Sequence, residues 1–148
     1  MKKTLFKYNL YDAWWQKYSS LEILDKPTNN VILVKKDEKI NITVNNKFIE
    51  NIKEIIKKYD KLEEIKCCDI PPILDGSINK FEVKINNKIH EKDGYNLWWF
   101  LEKNNIQKYK ANKNYSPNNS ILLIEFYEEI IKLLTRNDID TEYMSLRI

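Results

Sequence analysis

The chain has 148 residues, of which 43% are hydrophobic and only 2 are glycine, which predicts one folded domain over residues 1–148 and excludes an intrinsically disordered chain. The 25 lysines and arginines exceed the 22 acidic residues only enough for a net charge of +3. That excess is too small to indicate a nucleic-acid-binding domain by itself.

The first half of the chain carries both strand and helix signals. Residues 4–24 are compatible with either. Residues 30–45 contain two β-branched runs around the polar residues 36–39, which predicts a β-hairpin. Residues 46–60 repeat apolar side chains at helical spacing, with Asn46 available as the N-cap. We therefore expect a hairpin followed directly by an amphipathic helix.

The next segment returns to strand signals. The two prolines at 71–72 should end a strand, because proline cannot donate to a sheet ladder. Residues 81–85 alternate apolar and charged side chains. The asparagine pair at 86–87 supplies a tight turn before residues 88–92. This segment predicts a second hairpin.

The last third combines a polar connection with a second helix. Residues 103–119 are rich in asparagine and lysine and predict a long loop. Residues 120–134 have a narrow polar stripe on an otherwise apolar helix, which must be largely buried. Residues 141–148 could add a strand. The whole pattern predicts an α+β fold, an antiparallel, meander-rich sheet with two main helices packed against it.

Nothing in the chain predicts export or membrane insertion. Lys7 and Asp12 interrupt the apolar run that a signal peptide needs, and no apolar stretch approaches bilayer-spanning length. Cys67 and Cys68 are adjacent, so a disulfide between them would be strained. We expect a cytoplasmic protein without a membrane partner.

The choice of catalytic groups is narrow. The chain has one histidine, His90, so a catalytic pair with Cys67 or Cys68 as the nucleophile would have to use it as the base. We favour a structural position for His90, on the outer face of an edge hairpin. The sequence lacks the paired Cys/His spacing of zinc sites and the glycine-rich loops that bind nucleotides. We therefore predict no cofactor and no metal.

An acidic residue and a Glu-x-Lys triplet lie close together in the sequence. Asp75 precedes a predicted strand on which Glu82 and Lys84 share one face. Two carboxylates can hold a divalent ion that polarises a phosphate, and a lysine can orient the attacking water. This arrangement resembles the motif of the PD-(D/E)xK nuclease superfamily. Over residues 46–148 the resemblance implies an αβββαβ core and a metal-dependent nuclease.

The same stretch has a simpler interpretation as a hairpin with a charged outer face. Opposite charges two residues apart on a strand are typical of a solvated face, and Asp75-Gly76 is an ordinary turn dipeptide. The proline that precedes the acidic residue in the nuclease motif is not next to Asp75 here but at Pro72. If the chain were a nuclease, Glu50 or Glu54 would supply the acidic residue that the motif has on a helix. We favour the hairpin and keep the nuclease as an alternative.

Basic and aromatic residues interleave in the predicted long loop. Lys108, Lys110 and Lys113 surround Tyr109, an arrangement that can follow a phosphate backbone and stack on bases. A solvated, lysine-rich loop explains the same residues, and we favour it. Nucleic-acid binding is a second alternative.

Two tryptophan pairs, Trp14-Trp15 and Trp98-Trp99, stand out among the aromatic residues. Consecutive side chains of an extended chain point to opposite faces, so the four cannot all share one core layer. Exposed tryptophans are favoured anchors at protein interfaces, whereas two separate core layers would bury them. We expect a small bacterial protein without catalysis that binds another protein, in the manner of an immunity protein or an inhibitor.

Overall fold

The computed structural model describes residues 3–12, 18–35, 38–65, 77–95, 97 and 119–141. These residues form strands, two α-helices and one short 3-10 helix. In chain order the elements are β1 (Thr4–Asp12), β2 (Tyr18–Leu24), β3 (Asn30–Lys35), β4 (Glu38–Thr43), α1 (Asn46–Lys58), the 3-10 helix (Asp60–Glu64), β5 (Ser77–Ile85), β6 (Lys88–Tyr95) and α2 (Asn119–Arg136).

The strands form one antiparallel sheet in the order β4-β3-β2-β1-β5-β6. Strands β1 to β4 are a meander of consecutive neighbours, and the β5–β6 hairpin joins the sheet through β1. Residues 4–24, which the sequence left open between strand and helix, contain two of these strands. The predicted α+β fold with a meander-rich sheet is confirmed.

One face of the sheet, here called the inner face, packs against both helices. It presents Phe6 and Tyr8 of β1 and Phe81 of β5, all fully buried. The ring of Phe6 lies 5.5 Å from that of Phe126 in α2, and the ring of Tyr8 lies 4.5 Å from that of Tyr127. The opposite side of the sheet, the outer face, carries the alternate residues of the same strands.

Helix α1 begins where the sequence predicted, but its cap is one residue earlier. Asn45 accepts a hydrogen bond from the backbone N–H of Phe48 at 2.8 Å. The prediction of Asn46 as the N-cap was wrong, because Asn46 is already helical whereas Asn45 has the extended backbone of a capping residue. The helix buries one apolar face, made of Phe48, Ile49, Ile52 and Ile56.

Helix α2 is buried around most of its circumference, as its narrow polar stripe predicted. Its buried residues are Ile121, Leu123, Ile124, Phe126, Tyr127, Ile130, Leu133 and Leu134. The two helices are also linked at the surface, where Lys58 Nζ of α1 lies 2.9 Å from Glu129 Oε1 of α2. The core therefore lies between the inner face and this helical layer.

The β5–β6 hairpin turns at Asn86 and Asn87, as predicted, with positive φ values of 50° and 65° that asparagine tolerates. This turn sets a register in which His90 is opposite Val83. His90 therefore lies on the inner face at the edge of the sheet. Its prediction on the outer face was wrong, because the register of a hairpin decides which face each residue takes.

Several predicted segments lie outside the described residues. They are most of the strand ending at residues 71–72, of the loop over 103–119 and of the terminal strand over 141–148; of the predicted loop, Asn119 is described and begins α2. In the part of the chain that the structure describes, no helix is long and apolar enough to cross a membrane.

Candidate functional site

Glu82 and Lys84 lie on the outer face of β5. Both are half-buried, and the apolar residues that alternate with them are buried on the inner face. The strand therefore has the two-sided pattern that the sequence predicted. Asp75, the third residue of the nuclease hypothesis, lies outside the described residues.

Glu82 belongs to a row of charges that crosses the sheet. It is directly opposite Lys7 of β1 on one side and Glu91 of β6 on the other, and Lys7 is also opposite Glu22 of β2. The Thr4 hydroxyl donates to Glu22 Oε2 at 2.7 Å. Opposite charges on neighbouring strands stabilise a sheet. Lys7 therefore offers Glu82 an opposite charge on one side, whereas Glu91 on the other side is a like charge that opposes it.

The helical acids of the nuclease hypothesis are on the other side of the sheet. Glu50 and Glu54 belong to α1, which packs on the inner face, whereas Glu82 is on the outer face. Glu50 also lies 3.6 Å from Lys53. Among the described residues, no group of three or more histidine, cysteine or acidic side chains could hold a metal ion.

The other residues singled out from the sequence lie outside the described residues. They are Trp14, Trp15, Cys67, Cys68, Trp98, Trp99, Lys108, Tyr109, Lys110 and Lys113. The proposed aromatic anchors and the nucleic-acid-binding loop therefore stay predictions.

An open cleft of 530 Å³, here called the end cleft, lies where α1 meets the start of β1 and the β5–β6 turn. Three buried apolar side chains, Leu5, Ile56 and Ile85, form its floor. The polar residues around them are Asp25, Lys53, Lys57, Asp60, Lys84, Asn86 and Asn87. A concave surface with an apolar floor and a polar rim is the usual form of a binding site.

One aspartate of the end cleft is already neutralised. Asp25 Oδ2 lies 3.0 Å from Lys53 Nζ, and Asp25 Oδ1 accepts from the Lys26 backbone N–H at 2.7 Å. Burial by itself would raise the pKa of Asp25, but these hydrogen bonds and the Lys53 charge outweigh it and hold the pKa below its ordinary value. The same hydrogen bond to Asp25 raises the pKa of Lys53.

The remaining charges of the end cleft are mainly positive. Lys57 of α1 and Lys84 of β5 both line it, and neither side chain has a salt bridge or hydrogen bond to another described residue. Asp60 is the acidic group left beside them. The cleft can therefore offer positive charge to a ligand next to an apolar floor.

Sequence reasoning did not find the end cleft. The i,i+4 spacing of Lys53 and Lys57 shows that both lie on one side of α1. Nothing local in the sequence indicates that the end of β5 carries Lys84 to the same place, because that depends on long-range packing.

No family model matches the chain, and a comparison with curated proteins finds no significant match.

Proposed function

We propose that the protein is a non-catalytic binding protein whose partner is another protein, and that the end cleft receives an acidic segment of that partner. An immunity-like or inhibitor role in a bacterial cytoplasm suits the size and composition of the chain. The observation that carries the proposal is that Lys57 and Lys84 both line the end cleft, which also has an apolar floor.

The chemistry of the end cleft favours a peptide that is both acidic and apolar. A carboxylate placed near Lys57 or near Lys84 would gain a charge-assisted hydrogen bond. A neighbouring leucine or similar side chain would make van der Waals contacts with Leu5 and Ile85, which are already buried, so most of the affinity should come from the charges. A ligand with charge but no apolar group would contact only the polar residues around the end cleft.

The ion pair of Asp25 with Lys53 supports the same choice of ligand. Because Lys53 satisfies Asp25, this aspartate contributes little repulsion toward an incoming carboxylate. Asp60 is an exposed acidic residue that follows Lys57 closely in the chain, and its repulsion should favour carboxylates that bind nearer to Lys84. Binding should weaken with added salt, since Lys57 is exposed and Lys84 is only half-buried.

The test is an amide NMR titration with the peptide Asp-Glu-Leu-Glu-Asp, compared with the matched peptide Lys-Lys-Leu-Lys-Lys. We expect shifts at residues 53–57 and 84–87 with the acidic peptide alone. Combined Lys57→Glu and Lys84→Glu substitutions should abolish them. The control Lys132→Glu reverses an exposed charge on α2 and should leave them unchanged.

Two outcomes would contradict this proposal. Shifts that are absent, or that persist in the charge-reversed variant, would remove the end cleft as the binding surface. Stronger shifts with a DNA or RNA oligonucleotide than with the acidic peptide would favour the nucleic-acid alternative.

A further inference from the structure

Among the described residues, strand β4 is an exposed edge of the sheet. It is the terminal strand in the strand order, with β3 as its neighbour. Five of its six residues are exposed, and Ile40 keeps 43% of its surface accessible. An exposed edge strand offers unpaired backbone groups to another strand.

The pairing of β4 with β3 identifies those backbone groups. The backbone N–H of Val44 donates to the carbonyl of Asn29 at 2.9 Å, so this residue pair is hydrogen-bonded toward β3. In an antiparallel ladder such pairs alternate along the strand. The N–H and C=O groups of Lys39, Asn41 and Thr43 therefore point away from β3, toward the side on which no described strand lies.

The opposite edge of the sheet is protected by charge. Between Lys88 and Asp93, strand β6 has an ionisable residue at every position except Ile89. Charged residues along an edge discourage strand addition. By contrast, residues 40–43 of β4 read Ile-Asn-Ile-Thr and carry no charge.

We propose that two copies of the chain associate through β4, side by side and antiparallel, around a twofold axis at Asn41. In this register Asn41 faces its counterpart, Lys39 faces Thr43, and Ile40 faces Ile42 on the inner face. The outward backbone groups of each copy meet those of the other, which extends one sheet across both copies.

The charges and side-chain faces fit this register. Lys39 meets an uncharged threonine, Glu38 meets Val44, and no like charges lie opposite one another. A shift by one residue would set outward backbone groups against groups already bonded to β3, and would reverse the faces. Because one six-residue strand is a small contact, below the ~1,200 Å² of a standard interface, the dimer should form only at high protein concentration.

The experiment is sedimentation velocity over a wide range of protein concentration. The wild type should convert from monomer to dimer as concentration rises. Asn41→Pro removes one outward N–H and should keep the protein monomeric, since proline is tolerated on an edge strand. Asn41→Ala is the matched control, because it loses the same side chain but keeps the N–H, and it should still dimerise.

A second pair of variants tests the register without relying on proline. Thr43→Lys sets a positive charge opposite Lys39 on both sides of the axis and should raise the dimer dissociation constant roughly tenfold. Adding Lys39→Glu should restore association. A protein that is monomeric at every concentration, or a dimer indifferent to Asn41→Pro and Thr43→Lys, would overturn the proposal.

Discussion

Asn79 Nδ2 donates a hydrogen bond to Tyr8 Oη at 2.9 Å, joining β5 to β1 inside the core. Tyr8 is fully buried and Asn79 is 2% exposed. Burial raises the pKa of Tyr8 well above its ordinary value, more than the hydrogen bond from Asn79 lowers it. The tyrosine therefore stays neutral, and its hydroxyl depends on this partner.

We expect Asn79→Ala to lower the free energy of unfolding by about 1–3 kcal/mol, because it leaves the buried Tyr8 hydroxyl without its donor. Tyr8→Phe should have a comparable effect by leaving Asn79 Nδ2 unpaired. In urea denaturation, the double variant should lose less than the two single losses added together. Strict additivity would show that the pair is not coupled.

Asn45 caps helix α1, so Asn45→Ala should lower the free energy of unfolding by about 0.5–2 kcal/mol. Asn45→Asp keeps the acceptor and should retain most of the stability. Asn46→Ala is the informative comparison, since the one side-chain hydrogen bond of Asn46 with a described residue is exposed and is accepted from Asn29 Nδ2. If Asn46→Ala lowered the free energy of unfolding more than Asn45→Ala, Asn46 and not Asn45 would be the N-cap.

The Asp25–Lys53 ion pair predicts a pH-dependent contribution to stability. The pKa of Asp25 is lower in the folded protein than its ordinary value. The stabilisation that the ion pair gives to the folded state is therefore complete above the ordinary aspartate pKa of about 3.9. It is lost as the pH falls through the folded pKa. Asp25→Asn should cost up to about 1 kcal/mol at neutral pH, since Lys53 is partly exposed.

That difference between wild type and Asp25→Asn should shrink toward zero in urea denaturation once the pH is below the lowered folded pKa of Asp25, where Asp25 is protonated in both folded and unfolded chains. Asp60→Asn serves as the control, because Asp60 lines the same cleft but makes no salt bridge with a described residue. A constant difference across the pH range would argue against the ion pair as its source.

The nuclease alternative can be tested with Glu82→Gln. We expect neither wild type nor variant to cleave DNA or RNA with Mg²⁺ or Mn²⁺, because Glu82 lies beside Lys7 and away from the helical acids. The substitution should change stability only slightly, since Glu82 is half-buried on the outer face. Metal-dependent cleavage by the wild type that disappears in Glu82→Gln would establish the nuclease instead.

The tryptophan hypothesis predicts that at least one of Trp14, Trp15, Trp98 and Trp99 is accessible to solvent. Acrylamide should then quench part of the tryptophan fluorescence, and single Trp→Phe variants would identify the exposed residue. Uniformly unquenched emission would remove these residues as candidate interface anchors.

The sequence by itself determined features that depend on near neighbours. The period-two alternation of residues 81–85 placed Glu82 and Lys84 on one face of β5, and apolar side chains at helical spacing located α1 and α2. The asparagine pair at 86–87 located a turn because few residues tolerate positive φ. In each case the side chains within a few positions carry enough information to select the local conformation.

The tertiary structure alone decided features that depend on distant pairing. It placed β1 inside the sheet between β2 and β5, and the hairpin register put His90 on the inner face. It also joined Lys57 of α1 and Lys84 of β5 in the end cleft. Strand order and the meeting of remote side chains follow from how the whole apolar surface is buried, and no local pattern in the sequence specifies that arrangement.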